Sequence, residues 1–246
     1  VIARRPAARI EARYFDDLVS AGGEFNPFAE SGWRTVQRRF EDFVRPRPGM
    51  RVLDIGCGTG QSRQLYAAHA AEYVGVDLAE VALARARARF PGDTWLCCDA
   101  RELPFEAESF DLVAFSSVLH HIADFETALR EALRVLAPGG AAFAFDPNVL
   151  HPAMALFRHP RSPFYSSKGV SPNEAPLLPR TLRTAFERAG FVDIKQRAQS
   201  DIAYREVAPP LLNAGLRAYN VVDRWWERIG LGRWFGIFVI TSGRKG

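Results

Sequence analysis

An α/β domain with a mostly parallel sheet is predicted by three observations. Val52, Leu53 and Ile55 form a short, branched apolar run that ends abruptly in glycines, which marks a buried strand rather than a helix. Similar runs return at 73–77, 94–98, 109–116 and 141–145 with helical spacing between them, the alternation expected around a parallel sheet. At 246 residues and 48% hydrophobic content, the chain has material for one such domain with additions. The arrangement is Rossmann-like, with helices on both faces of the sheet.

The glycines after the first strand set the ligand class. Gly56, Gly58 and Gly60 let the backbone approach a ligand closely, and the helix resuming at Gln61 aims free N–H groups at polar or anionic atoms. The dinucleotide spacing G-x-G-x-x-G puts its third glycine one residue farther along, which disfavours nicotinamide chemistry. Asp54 precedes the loop inside the strand, and Cys57 lies within it. The run at 54–60, Asp-Ile-Gly-Cys-Gly-Thr-Gly, resembles the first motif of class I S-adenosylmethionine-dependent methyltransferases; a glycine-rich turn without a ligand is the plainer alternative. The resemblance implies S-adenosyl-L-methionine as cofactor, S-adenosyl-L-homocysteine as product, and a seven-stranded sheet whose last strand is antiparallel. It places Asp54, Gly56, Cys57, Gly58 and Gly60 at the donor.

Ahead of the sheet, residues 8–20 carry Ile10, Tyr14, Phe15 and Leu18 at helical spacing, and residues 30–45 carry Trp33, Val36, Phe40, Phe43 and Val44. Two helices joined by a turn-rich segment at 22–28 are predicted. In the resembled family such helices close over donor and substrate. Residues 1–47 are therefore expected to form an N-terminal helical lid on a domain spanning 48–246, with Tyr14, Phe28 and Arg34 as substrate-side candidates. Aromatic packing, or solvation for the arginine, is the simpler role for each.

Asp77 ends the second strand about 20 residues beyond the glycine loop, where a carboxylate can accept from both hydroxyls of a ribose. Helix capping is the alternative. The resemblance adds Leu78 beside the adenine, and Asp99 and Ala100 at its amino group and ring nitrogen. Ser116 ends the fourth strand, and its backbone is expected to face the donor's methionine portion, because ligands of open α/β sheets lie beyond carboxyl strand ends. His120 and His121 follow as candidate catalytic bases. An imidazole there could hold a proton near neutral pH, but adjacent side chains diverge, so at most one is expected to reach the substrate; a packed, hydrogen-bonded histidine is the alternative for each. No metal is expected, since the pair with Asp124 has no established ligand spacing and Cys57, Cys97 and Cys98 have none either.

Pro138, Gly139 and Gly140 predict a turn before the fifth strand, and Asp146, Pro147 and Asn148 are expected as a substrate-side loop beyond it. Prolines through 149–178 resist long helices and central strands, so this stretch, with Phe164, Tyr165 and Lys168, is predicted to be an irregular substrate-side insertion. Leu182, Phe186 and Ala189 then mark a helix, 191–195 a strand, 205–230 a long helix interrupted near Pro209 and Pro210, and 235–240 a last strand. On the long helix, Leu212, Leu216, Tyr219, Val222, Trp226 and Ile229 share the predicted inner face.

Trp225, Trp226, Trp234 and Phe235 beside Arg224, Arg228 and Arg233 make 205–235 a candidate membrane contact. Packing against the sheet or a partner subunit is the preferred reading, because Asp223 and Glu227 interrupt the positive face. The net charge of +4 is mild and dispersed, so nucleic acid is not expected as a partner. Three cysteines without a disulfide pattern suggest a cytoplasmic setting, membrane-peripheral if the aromatic face contacts lipid. The expected function is methyl transfer to an oxygen, nitrogen or carbon of a small molecule. A lipid or polyprenyl acceptor and a non-catalytic binding or scaffold role are the alternatives.

Overall fold

The computed structural model describes residues 6–23, 28–158, 161–165, 170–205 and 210–246. The expected turn at 24–27, Lys168 and Pro209 lie outside them. Strands β1 (Met50–Ile55), β2 (Ala70–Asp77), β3 (Thr94–Cys97), β4 (Phe110–Ser116), β5 (Leu136–Pro147), β6 (Val192–Gln199) and β7 (Phe238–Arg244) form one sheet in the order β3-β2-β1-β4-β5-β7-β6. Strands β1 to β5 pair in parallel, and β7 runs antiparallel between β5 and β6. The order reverses between β1 and β4. Loops leaving these two strands therefore diverge and open a crevice beyond their carboxyl ends.

Alternation along β1 builds a core on each side. Leu53 and Ile55 join one cluster with Val74, Val76, Phe115 and the inner faces of α5 (Phe125–Val135) and α7 (Pro179–Ala189). Val52 joins the other, with Leu112, Phe143 and Phe145 under α2 (Glu30–Val44), α3 (Arg63–Tyr66) and α4 (Glu80–Arg89). Asp54 shares the side of Val52. It is a carboxylate inside an apolar layer.

Several elements depart from expectation for local reasons. Helix α1 (Pro6–Ser20) buries Ala8, Glu11, Ala12 and Val19, while Ile10 is half exposed. Val19 and Phe15 of α1 pack on Ala79 and Ala82 at the start of α4, so only part of the face marked by the large residues turns inward. Strand β5 runs on through Asp146 and Pro147, which pair with Val239 and Phe238 and so are strand rather than loop. The insertion contains a short helix, α6 (Pro152–Arg158), opened by a proline that needs no N–H donor there. The long C-terminal helix is a 3-10 stretch, Pro210–Gly215, followed by α8 (Leu216–Arg228). Residues 232–235 form a further helical turn, α9 (Gly232–Phe235), and β7 begins only at Phe238. A Cβ at Gly236 would lie 2.2 Å from the Gln199 backbone, so this glycine lets the chain slip past β6 into the sheet.

Candidate active site

The three loop glycines have three different surroundings. All have positive φ: 72° at Gly56, 52° at Gly58 and 82° at Gly60. A side chain at Gly56 would meet Val118 at 2.4 Å, and one at Gly60 would meet Phe90 and Trp95 at 3.0 Å, whereas Gly58 has nothing within 4 Å. Gly58 is thus the open floor of the loop, and Gly60 faces the core. Gly56 and Cys57 donate their N–H groups to the Val76 carbonyl at 2.8 and 3.2 Å, which pins the loop to β2.

Asp54 lies beneath this loop and does not line the cavity. Its carboxylate accepts from Ser62 Oγ at 2.5 Å, Tyr73 OH at 2.6 Å and Ser116 Oγ at 2.8 Å, and Ser116 Oγ also meets Tyr66 OH at 3.0 Å. One acid therefore ties the glycine loop, β2 and the end of β4 together. Complete burial, outweighing these hydroxyls, pushes its pKa up to about 6.

Asp77 sits at the cavity wall with Leu78. Its Oδ2 accepts from the Gly58 N–H at 2.8 Å and its Oδ1 from the Ala79 N–H at 2.9 Å. Each oxygen retains acceptor capacity, as a carboxylate has about four lone-pair sites. Burial raises its pKa, opposed by these backbone donors. Asp99 and Ala100 also line the cavity, but Asp99 grips its neighbour Arg101 through Nε at 2.9 Å and Nη2 at 2.6 Å. Sequence reasoning missed Arg101, a guanidinium in the wall whose only signal was a charge two residues from a predicted ligand aspartate.

His120 and His121 do not diverge, their ring centroids lying 4.0 Å apart, yet they separate in role. His120 is buried off the cavity, its N–H and Nδ1 at 3.2 and 2.8 Å from Asp146 Oδ1. Burial lowers the imidazole to about 3 and raises the carboxyl to about 7, so the pair is held with a neutral ring; Asp146 Oδ2 has no partner among the described residues. His121 lines the cavity. Its Nδ1 lies 2.8 Å from both Glu11 Oε1 on α1 and Ser171 Oγ in the insertion. Asn173 Nδ2 donates to Glu11 Oε2 at 2.9 Å, and the Ala175 N–H donates to the His120 carbonyl at 2.9 Å. Burial lowers the pKa of His121, with His120 adding to the effect and Glu11 opposing it. Glu11 itself stays below the usual range, because bonds from His121, Ser171 and Asn173 outweigh its desolvation. His120, His121 and Glu174 each bring one ligand-capable atom within 4.8 Å of the others, whereas Asp124 caps α5 through the Thr127 N–H.

The cavity holds about 1540 Å³, its open mouth included. Its second half is aromatic: Phe15, Phe28, Trp33, Phe145 and Phe238. Of the other substrate-side candidates, Tyr14 packs edge-on to Phe15 behind the wall. Arg34 pairs with Glu30 on the exposed side of α2. Asn148 is buried, donating to the Gly236 carbonyl at 2.8 Å, and Tyr165 is exposed. None of these four lines the cavity.

A methyltransferase-domain family matches residues 53–144, which span the glycine loop, Asp77, Asp99 and the histidine pair. Demethylmenaquinone methyltransferase of Renibacterium salmoninarum is 34% identical over 219 residues, covering 85% of this chain and 90% of that protein. The chain belongs to the class I S-adenosylmethionine-dependent methyltransferases. A second demethylmenaquinone methyltransferase, from Clavibacter sepedonicus, is 38% identical over a match spanning 51% of this methyltransferase and 53% of the relative. A ubiquinone/menaquinone biosynthesis C-methyltransferase of Desulfotalea psychrophila is 28% identical, with 74% and 82% covered. Among solved structures, phosphoethanolamine N-methyltransferase 2 of Haemonchus contortus, in complex with S-adenosyl-L-methionine, superposes with a TM-score of 0.68 at 22% identity, covering 99% of this chain and 60% of that one. S-adenosylmethionine is the methyl donor of the enzyme.

Proposed function

We propose that the methyltransferase methylates a small apolar ring compound of the quinol class, at carbon. The observation that carries this reading is His121, a partly buried imidazole beside the aromatic ring of Phe15, with Nδ1 between Glu11 and Ser171. The relatives named for menaquinone and ubiquinone biosynthesis support the acceptor class.

The donor fits the other half of the cavity, because Gly58 leaves open space where a side chain would stand and Asp77 offers acceptor oxygens at the strand end. Asp77 is assigned to the ribose hydroxyls. Leu78, Ala100 and the Asp99–Arg101 pair frame the adenine, and Ser116 adjoins the methionine portion. Bound there, S-adenosylmethionine supplies an electrophilic methyl group on a sulfonium. Ser171 Oγ accepts from the Nδ1–H of His121 with the Glu11 carboxylate alongside, which leaves Nε2 as the lone pair that takes the proton lost from the acceptor. The aromatic walls exclude water and hold the ring in line with the methyl group.

The test is incubation of the enzyme and donor with hydroquinones, free and prenylated, followed by mass spectrometry and NMR of the product. Methylation at a ring carbon, slowed strongly by His121→Ala with homocysteine-product affinity intact, is the expected result. Methyl gain only at oxygen or nitrogen would refute the carbon assignment.

A further inference from the structure

Helix α8 presents a strongly divided surface. Its two acids face inward: Asp223 is buried and accepts from the Asp201 N–H at 2.7 Å, and Glu227 bonds Arg197 and approaches Arg39 at 3.5 Å. The interruption of the positive face expected from sequence is therefore absent. Outward, α8, α9 and the turn between them expose Val221, Val222, Trp225, Ile229, Trp234 and Phe235, with Trp225 56% and Trp234 60% accessible. Arg217, Arg224, Arg228 and Arg233 are exposed on the same elements, and no acidic residue between 213 and 235 is exposed. Arg224 pairs with Asp201 at its border, and Arg233 lies over the Trp234 ring.

We propose that this face docks the enzyme on a lipid surface bearing anionic headgroups. Tryptophan has an apolar body and a polar edge suited to the headgroup boundary, and arginines beside it meet phosphate. A second copy of the chain fits worse, because a two-fold contact would lay arginine-rich faces against each other. The other side of α8 leads to the cavity: Tyr219 packs on Tyr204, Tyr204 on Phe28, and Phe28 lines the aromatic half. An apolar acceptor drawn from the lipid would thus enter one helix thickness away. Docking itself does not depend on which acceptor is methylated.

The test is flotation of the full chain with phosphatidylcholine vesicles, with and without phosphatidylglycerol. Association with the anionic vesicles is expected, falling by about fivefold for each arginine neutralised in Arg228→Gln and Arg233→Gln. A double Trp225→Ser, Trp234→Ser variant is expected to lose about tenfold or more. Titration with S-adenosylhomocysteine reports fold and donor site separately, and unchanged affinity in every variant is expected. Absence of wild-type flotation, or flotation of the tryptophan variant equal to wild type, overturns the proposal. So does light scattering that shows a wild-type dimer dispersed by the tryptophan changes without any vesicle binding.

Discussion

Asp54 and Asp77 are two strand aspartates on either side of the same loop, and they differ in what remains for a ligand. Asp54 spends its oxygens on three protein hydroxyls, whereas Asp77 faces the cavity. Asp77→Ala should weaken S-adenosylhomocysteine binding by about 1.5 to 3 kcal/mol in calorimetry, roughly tenfold to a hundredfold. Glu11→Gln should leave that affinity nearly unchanged while lowering turnover. It should also move the acid limb of the pH–rate profile to lower pH, because the Glu11 charge holds the His121 pKa up; a limb that stays in place would separate Glu11 from the base. Chelation should not change turnover, and loss restored by a divalent ion would reassign the His120, His121 and Glu174 cluster. His151 is buried with its pKa lowered from 6.5 to about 4. The unfolded chain therefore binds the proton first as pH falls, and stability present above 6.5 is lost toward pH 4, on the order of 3 kcal/mol. Asp54 and Asp146, with raised pKa values, act in the opposite sense, so the contribution is read as a difference: denaturant midpoints of His151→Gln should fall less on acidification than those of wild type.

At the scale of elements, the glycine loop is where sequence pattern and structure agree most closely, because the backbone conformation itself demands the residue type. The loop's individual roles were not legible, since the open side of Gly58 and the packed sides of Gly56 and Gly60 depend on Val118, Phe90 and Trp95 from distant segments. Gly56→Ala should lower the melting temperature and abolish donor binding together. Gly58→Ala, strained in φ but free of collisions, should mainly weaken the donor. The amphipathic faces of α1 and α8 were misjudged for one reason: large apolar residues mark an inner face only if the neighbouring surface can receive them. Alanines on α4 receive Val19 and Phe15 of α1 while Ile10 stays out, and α8 keeps Leu216, Tyr219 and Trp226 inward while Val222 and Ile229 face out.

Across the whole molecule, the two large cores on the sheet contain no residue of α1, which rests on a small separate cluster with α4. Removing residues 1–20 should therefore leave a cooperatively melting sheet by circular dichroism while eliminating methyl transfer, since Glu11 and part of the cavity wall go with it. Loss of the folded sheet would show α1 to be structural rather than a cover. The succession of strands along the chain, the donor loop and the methyltransferase family were determined by the sequence alone, because short apolar runs, glycines with positive φ and strand-end acids are local requirements that leave local marks. The tertiary structure alone decided that His121 rather than His120 meets the cavity, that Glu11 and Ser171 converge on it across 160 residues of chain, and that the acids of α8 turn inward. These depend on which surfaces meet, and burial and charge pairing between distant segments leave no periodicity for a sequence to display.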